Sequence, residues 1–207
     1  MRRVDVDIDR DLVAYYEAEA RDGRRTEQGE LRRRLRAEFA AQLAAERRDH
    51  LVDVGAGPGL DTLAWQRDGY RAVGVDLAHA NVEVMRRGGA PAVTASLYAL
   101  PFRTGSFDAL WTMSTFVHVP HDRFDAAIAE MIRVVTPGAP LGIGAWGGVD
   151  FEGRPEVGDL RPYRFFSLAA HDRWREMLAR HGTVERFDAF DVGDRGGWHY
   201  QFAVLRS

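Results

Sequence analysis

The sequence predicts a three-layer α/β/α domain on a seven-stranded sheet, with five parallel strands and an antiparallel pair at the C-terminal end. Three observations carry this. From residue 50 onward, short apolar runs alternate with helical patterns of about ten residues, as parallel strands joined by crossover helices require. A glycine cluster, Gly55, Gly57 and Gly59, directly follows the first apolar run. The last two apolar runs have no helix between them, which fits an antiparallel pair closing one sheet edge.

Each element has its own signal. Asp11–Ala20 and Glu30–Glu46 read as amphipathic helices separated by the polar break Arg21–Gly29. His50–Val54 (HLVDV) is the first buried strand, and Gly59–Asp68 a helix with Leu60, Leu63 and Ala64 on one side. Arg71–Asp76 (RAVGVD) is the second strand. Ala78–Arg87 is a helix with Val82 and Met85 inward, stopped by Gly88-Gly89. Ala92–Ala95 and Phe107–Thr112 are the third and fourth strands. Asp122–Val135 places Phe124, Ile128, Met131, Ile132 and Val135 at helical spacing and ends at Thr136-Pro137-Gly138. Pro140–Trp146 is the fifth strand, followed by a charged, glycine-rich loop, Gly147–Arg164, and a helix over Leu168–Arg180. Thr183–Phe190 and His199–Leu205 form the final pair, joined by a turn over 193–197.

Composition narrows the function. The 207 residues suit one domain, 1–207. All 28 basic residues are arginine, so lysine Schiff-base chemistry and a P-loop lysine are excluded. Cysteine is absent, which removes thiol nucleophiles, thiolate zinc sites and disulfides. The first 49 residues hold 12 arginines and 12 acidic residues. No one-signed patch arises there for nucleic acid. The N-terminus lacks an apolar signal-peptide core, and the longest apolar stretch, Ala139–Val149, is far short of a membrane helix. The expectation is a soluble, cytoplasmic protein that binds neither nucleic acid nor membrane. The run Asp5, Asp7, Asp9, Asp11 reads as a solvated segment and not a calcium loop, since it lacks the glycine and the distal glutamate. No metal site is expected.

Val52–Leu60 (VDVGAGPGL) is the most informative segment. Glycines there let the backbone turn sharply and approach a flat ligand without an intervening Cβ. Asp76 ends the second strand 17 residues after Gly59. At the carboxyl edge of the sheet it can accept from both hydroxyls of a ribose, although it also suits a helix N-terminus. The pair indicates an adenosine-containing ligand. The spacing is G-x-G-x-G and not G-x-G-x-x-G, with Leu60 at the third glycine position. Asp53 lies two residues ahead of the loop, where a carboxylate would repel a pyrophosphate but suits a ligand bearing an ammonium group, as S-adenosylmethionine does.

With these residues the chain resembles the class I S-adenosylmethionine-dependent methyltransferases, of the small single-domain, type 11-like kind. Val52–Gly59 resembles their first motif and Val73–Asp76 their second-strand acidic motif. Ala99–Pro120 (ALPFRTGSFDALWTMSTFVHVP), Ile132–Pro140 (IRVVTPGAP) and Arg164–Leu178 (RFFSLAAHDRWREML) are similar to further family segments in the family's order. Tyr16 and Arg25-Thr26 fall where such enzymes carry a tyrosine and an "RT" pair. The resemblance implies the sheet order 3-2-1-4-5-7-6 and S-adenosyl-L-methionine as cofactor. It also implies roles. Asp53 with the main chain of Gly55, Ala56, Gly57 and Gly59 would hold the methionine moiety, Asp76 the ribose, and Leu77 the adenine face. Ser96 and Leu97 would meet the adenine edge, Ser96 standing where the family has an acid. Met113 would offer its carbonyl to the ammonium, and Tyr16 and Arg25 would close over the methionine carboxylate.

Chemistry on an activated methyl donor needs mainly in-line placement of a nucleophile, with a base only where that nucleophile is protonated. His118, just past the fourth strand, is the candidate general base, its alternative being a loop-orienting residue. His199 is a weaker candidate, and His50, His79 and His181 read as structural. Candidate pocket aromatics are Trp146, Phe151, Tyr163, Phe165, Phe166 and Trp198. Arg154, Arg161 and Arg164 are read as balancing Glu152, Glu156 and Asp159, with pairing to an anionic substrate as the alternative. Met1–Glu46 and Gly147–Arg164 are expected to roof the pocket over a small-molecule acceptor. Two other functions stay open: a catalytically inactive cofactor-binding partner subunit, and a nucleotide-linked oxidoreductase.

Overall fold

The structure is a computed structural model that describes residues 7–156, 158–193 and 197–207. Seven strands form one sheet: β1 (His50–Val54), β2 (Arg71–Asp76), β3 (Ala92–Thr94), β4 (Ala109–Met113), β5 (Pro140–Gly147), β8 (Thr183–Asp191) and β9 (His199–Arg206). A separate hairpin joins β6 (Phe151–Gly153) to β7 (Phe166–Leu168). The helices are α1 (Ile8–Arg21), α2 (Glu30–Ala45), α3 (Leu60–Arg67), α4 (His79–Arg87), α5 (Phe124–Val134) and α6 (His171–Ala179).

The sheet order is β3-β2-β1-β4-β5-β9-β8, with β1 to β5 parallel and β9 antiparallel to both neighbours. This is the order that the resemblance implies. Alternation along the buried strands builds the layers. On one face Leu51, Ala109 and Trp111 pack with Leu35, Phe39 and Leu43 of α2 and Trp65 of α3. On the other, Val52, Val54 and Leu110 pack with Ile128 and Met131 of α5 and Trp174 and Leu178 of α6. Trp65 and Trp111 meet edge to face at 5.6 Å, both fully buried, each contributing on the order of 2–3 kcal/mol through the apolar area removed from water. Among the described residues no helix is long and apolar enough to cross a membrane.

Three expectations need correction. Gly147–Arg164 is not wholly loop, because Phe151–Gly153 pairs with Phe166–Leu168, whose apolar side chains cover Val117. The last helix begins at His171 and not Leu168, since Leu168 is strand and Ala170 is extended at ψ 154°. Of the joining turn over 193–197, residues 194–196 lie outside the described residues. The aspartate run is not one solvated segment either. Asp7 accepts the Arg10 N–H at 3.0 Å to cap α1, Asp11 pairs with Arg154, and Asp9 turns toward the sheet edge; Asp5 lies outside the described residues.

Candidate functional site

The carboxyl ends of β1, β2 and β4 open into a cavity of about 570 Å³, the position where open α/β sheets receive ligands. Its floor is the β1–α3 turn. Gly55 and Gly57 adopt φ of +71° and +59°, and a Cβ on Gly55 would collide with Thr115. A side chain is excluded there on both conformational and steric grounds.

The structure brings Tyr16, Arg25, Gly55, Gly57, Asp76, Leu77, Ser96, Leu97, Met113 and His118 onto this one cavity. Asp53, Ala56 and Gly59 do not line it. Gly59 instead sits at φ +82° against Met85, and Ala56 is buried beneath the turn. Asp53 stands behind the glycines, fully buried, where Thr62 donates to its Oδ2 at 2.7 Å and its Oδ1 has no partner among the described residues. Burial and the neighbouring Asp61 carboxylate push its pKa up. Of the aromatics, Trp146, Phe166 and Trp198 line the cavity, whereas Phe151, Tyr163 and Phe165 do not. His199 bonds to His171 at 3.0 Å, away from the cavity.

Asp76 shapes the loop as well as facing the cavity. Its Oδ2 accepts the Gly57 N–H at 2.7 Å, and its Oδ1 accepts the Ala78 N–H at 2.9 Å and Asn81 Nδ2 at 3.2 Å. Burial raises its pKa, against those three donors.

At the other end, Tyr16 Oη and His118 Nε2 are 2.6 Å apart, and His118 Nδ1 is 2.7 Å from the Phe165 carbonyl. A carbonyl only accepts, so Nδ1 carries the proton and the Tyr16 hydroxyl donates to Nε2. Burial, followed by the Arg164 and Arg25 charges acting against the Phe165 hydrogen bond, lowers the His118 pKa from 6.5 to about 3. The folded state keeps this imidazole neutral where the unfolded chain protonates. Its contribution to stability is complete above pH 6.5 and lost as the pH falls toward 3. Urea unfolding at pH ~7.5 and ~5 should therefore show the native protein losing about 2 kcal/mol more than His118→Gln over that interval. Parallel losses would mean that His118 is not held neutral.

Sequence reasoning missed Asp9, Arg32 and the placement of Arg164, all of which line the cavity. Asp9 lies on the Tyr98 side, where burial first and the Asp9 charge second push the Tyr98 pKa up to about 12. The arginine–acid balancing within 147–164 does not form: Arg154 reaches Asp11, Arg161 lies over the Tyr163 ring at 3.7 Å, and Arg164 meets no carboxylate among the described residues.

Comparison with known proteins agrees with this architecture. Residues 52–143 match the family described as a methyltransferase domain. Over 114 residues the chain is 31% identical to a malonyl-[acyl-carrier protein] O-methyltransferase of Enterobacter lignolyticus, covering 54% of this chain and 45% of that protein. It is also 31% identical over 102 residues to a 2-methyl-6-phytyl-1,4-hydroquinone methyltransferase of Synechocystis, covering 46% and 31%. The chain thus spans less than half the length of these curated relatives. Among solved structures, a 1,6-didemethyltoxoflavin-N1-methyltransferase of Burkholderia thailandensis, with that molecule and S-adenosylhomocysteine bound, superposes at a TM-score of 0.69 with 21% identity, covering 95% of this chain and 87% of that one. That likeness is one of fold.

Proposed function

From a chain whose residues 52–143 match the methyltransferase-domain family, we propose that it is a class I S-adenosylmethionine-dependent methyltransferase that transfers the methyl group of S-adenosyl-L-methionine to a small-molecule acceptor. The observation that carries this reading is the convergence of the Gly55–Gly57 turn and Asp76 on one cavity, with the Asp76 carboxylate bonded to the Gly57 N–H. The residues fit the cofactor: a turn whose cavity-lining residues, Gly55 and Gly57, have no Cβ, for its chain, and a carboxylate for its ribose.

Asp76 accepts from the ribose, Leu77 packs on the adenine, and Ser96 and the Leu97 N–H meet the adenine edge. Asp9 supplies there the acid that the Ser96 position lacks. Arg25, whose Nη1 lies 3.2 Å from where a Gly57 Cβ would stand, takes the methionine carboxylate, and the Met113 carbonyl takes the ammonium. Asp53 acts from behind, fixing the turn through Thr62. When bound, the cofactor supplies an activated methyl group, so the protein's task is placement. Where the acceptor is protonated, its proton passes to Tyr16 Oη as the Tyr16 proton passes to His118 Nε2. His118 is then the final base, with its Nδ1–H anchored on Phe165. Helix α1, Arg25 and the segment ending at Arg164 cover the acceptor end.

Calorimetry should show binding of S-adenosylhomocysteine and no comparable binding of NADH. Tight NADH binding without S-adenosylhomocysteine binding would replace this reading with an oxidoreductase. Cofactor binding without turnover on a broad panel of phenols, amines and carboxylates would make the chain a non-catalytic partner subunit.

A further inference from the structure

We infer that Arg164 is the anion-binding group of the acceptor site, and that the acceptor is a small planar molecule carrying a carboxylate. The inference rests on the methyl-transfer reading for the identity of this second ligand. Its physical basis is an uncompensated charge. The other arginines that line the cavity have acids, Arg25 meeting Glu19 at 3.1 Å and Arg32 the buried Asp61, and Arg154 meets Asp11. Arg164 has none within ion-pair distance among the described residues, and its sole hydrogen bond there is one donated by Nη1 to Tyr16 Oη at 3.2 Å. Four of its five N–H donors are left for a ligand.

The guanidinium is held by rings. It lies 4.2 Å from the Tyr15 ring centroid, 5.0 Å from Phe166 and 5.8 Å from Tyr16. Three rings around the cation restrict its movement, and the N–H groups not given to Tyr16 are those a carboxylate can take, two of them in parallel. Half-buried charge facing an apolar wall is unfavourable without a counter-ion. Here the wall is Val117, Phe166 and Trp198.

The cavity is also polarised along its length. Asp9 and Asp76 stand at the Ser96 end, and Arg164 beside the Tyr16–His118 pair at the other. Arg25, next to Gly57, is the cation placed for the cofactor's own carboxylate. That leaves Arg164 for the acceptor, within reach of the proton-accepting pair. An aromatic carboxylate meets both the ring-lined wall and the fork.

The probes are para-hydroxybenzoate and its neutral amide, titrated calorimetrically into the protein with and without saturating S-adenosylhomocysteine. Native protein should bind the carboxylate at least tenfold more tightly than the amide. Arg164→Gln should remove that preference, Arg164→Lys should keep part of it, and both variants should melt near the native temperature and bind S-adenosylhomocysteine within about threefold of native. No preference for the carboxylate, no binding of either probe, or an undiminished preference in Arg164→Gln would each overturn the inference. A tenfold loss of S-adenosylhomocysteine affinity in Arg164→Gln would also overturn it, by moving the arginine to the cofactor. Carboxylate preference without any S-adenosylhomocysteine binding would uphold the anion site and sink the methyl-transfer reading alone.

Discussion

Replacing His118 with alanine should lower turnover about 10²-fold while leaving S-adenosylhomocysteine affinity nearly unchanged, the lower end of the range for losing a general base. The size follows from the geometry. Nδ1 is committed to the Phe165 carbonyl, which fixes the tautomer and leaves Nε2 as the acceptor at 2.6 Å from Tyr16 Oη. Burial keeps the ring neutral, so it is always ready to receive a proton, but a pKa lowered to about 3 makes it a weak base and limits the gain. Tyr16→Phe should fall by a similar factor, and the double variant should be little worse than either single one, because the two side chains pass one proton in sequence. Steady-state kinetics on the best acceptor of the panel decides this. Near-native turnover in His118→Ala would leave placement alone as the mechanism, which suits an already nucleophilic amine.

Asp76→Ala should weaken S-adenosylhomocysteine binding by about 1.5–3 kcal/mol, or roughly 10- to 150-fold, the scale for removing a charged hydrogen-bonding partner. Two losses add. The ribose loses its acceptor, and the Gly57 and Ala78 N–H groups, now 2.7 and 2.9 Å from the carboxylate oxygens, are left unpaired beside the ligand. Asn81→Ala separates the two: it withdraws one donor at 3.2 Å without touching the ribose acceptor, and should cost well under half as much. Calorimetry on both variants, with melting temperatures alongside, checks the ordering. Equal losses, or none in Asp76→Ala, would remove Asp76 from the ribose.

The parallel strands were legible because strands buried on both faces appear as short, mostly apolar runs, such as HLVDV and RAVGVD, punctuated by glycine; their order came with the family resemblance. The β6–β7 hairpin was not legible, since Phe151–Gly153 is three residues long and partly exposed, and its pairing depends on a partner 15 residues away. That Gly55, Gly57 and Asp76 come together on one cavity was legible for the same local reasons as the strands, with glycines and an acid at fixed distances along the chain. The acceptor end of the site was not. Asp9 and Arg164 reach the cavity only because α1 and the segment before β7 fold over the sheet edge, and nothing in their neighbours' identities sets that direction. Asp53 is the converse case: its spacing from the glycines was visible in the sequence, whereas its burial and its bond to Thr62 of α3 depend on the packing of that helix against β1.

The two N-terminal helices are joined to the body by bonds of very different kind. Helix α2 is bolted on through Asp61, a fully buried carboxylate that receives Gln28, Arg32 and Trp111 together. Parting them would strand a charge in the interior, a penalty of several kcal/mol. Helix α1 is secured by polar contacts nearer the surface, the Asp11–Arg154 pair and Glu17 on the Ala80 N–H, and by the buried Leu12 and Tyr15 and the Tyr16–His118 bond. Leu12 and Tyr16 of α1 line the cavity, so a ligand that touches either adds contacts to the fastening of α1, and its binding free energy is shared with the docking of that helix.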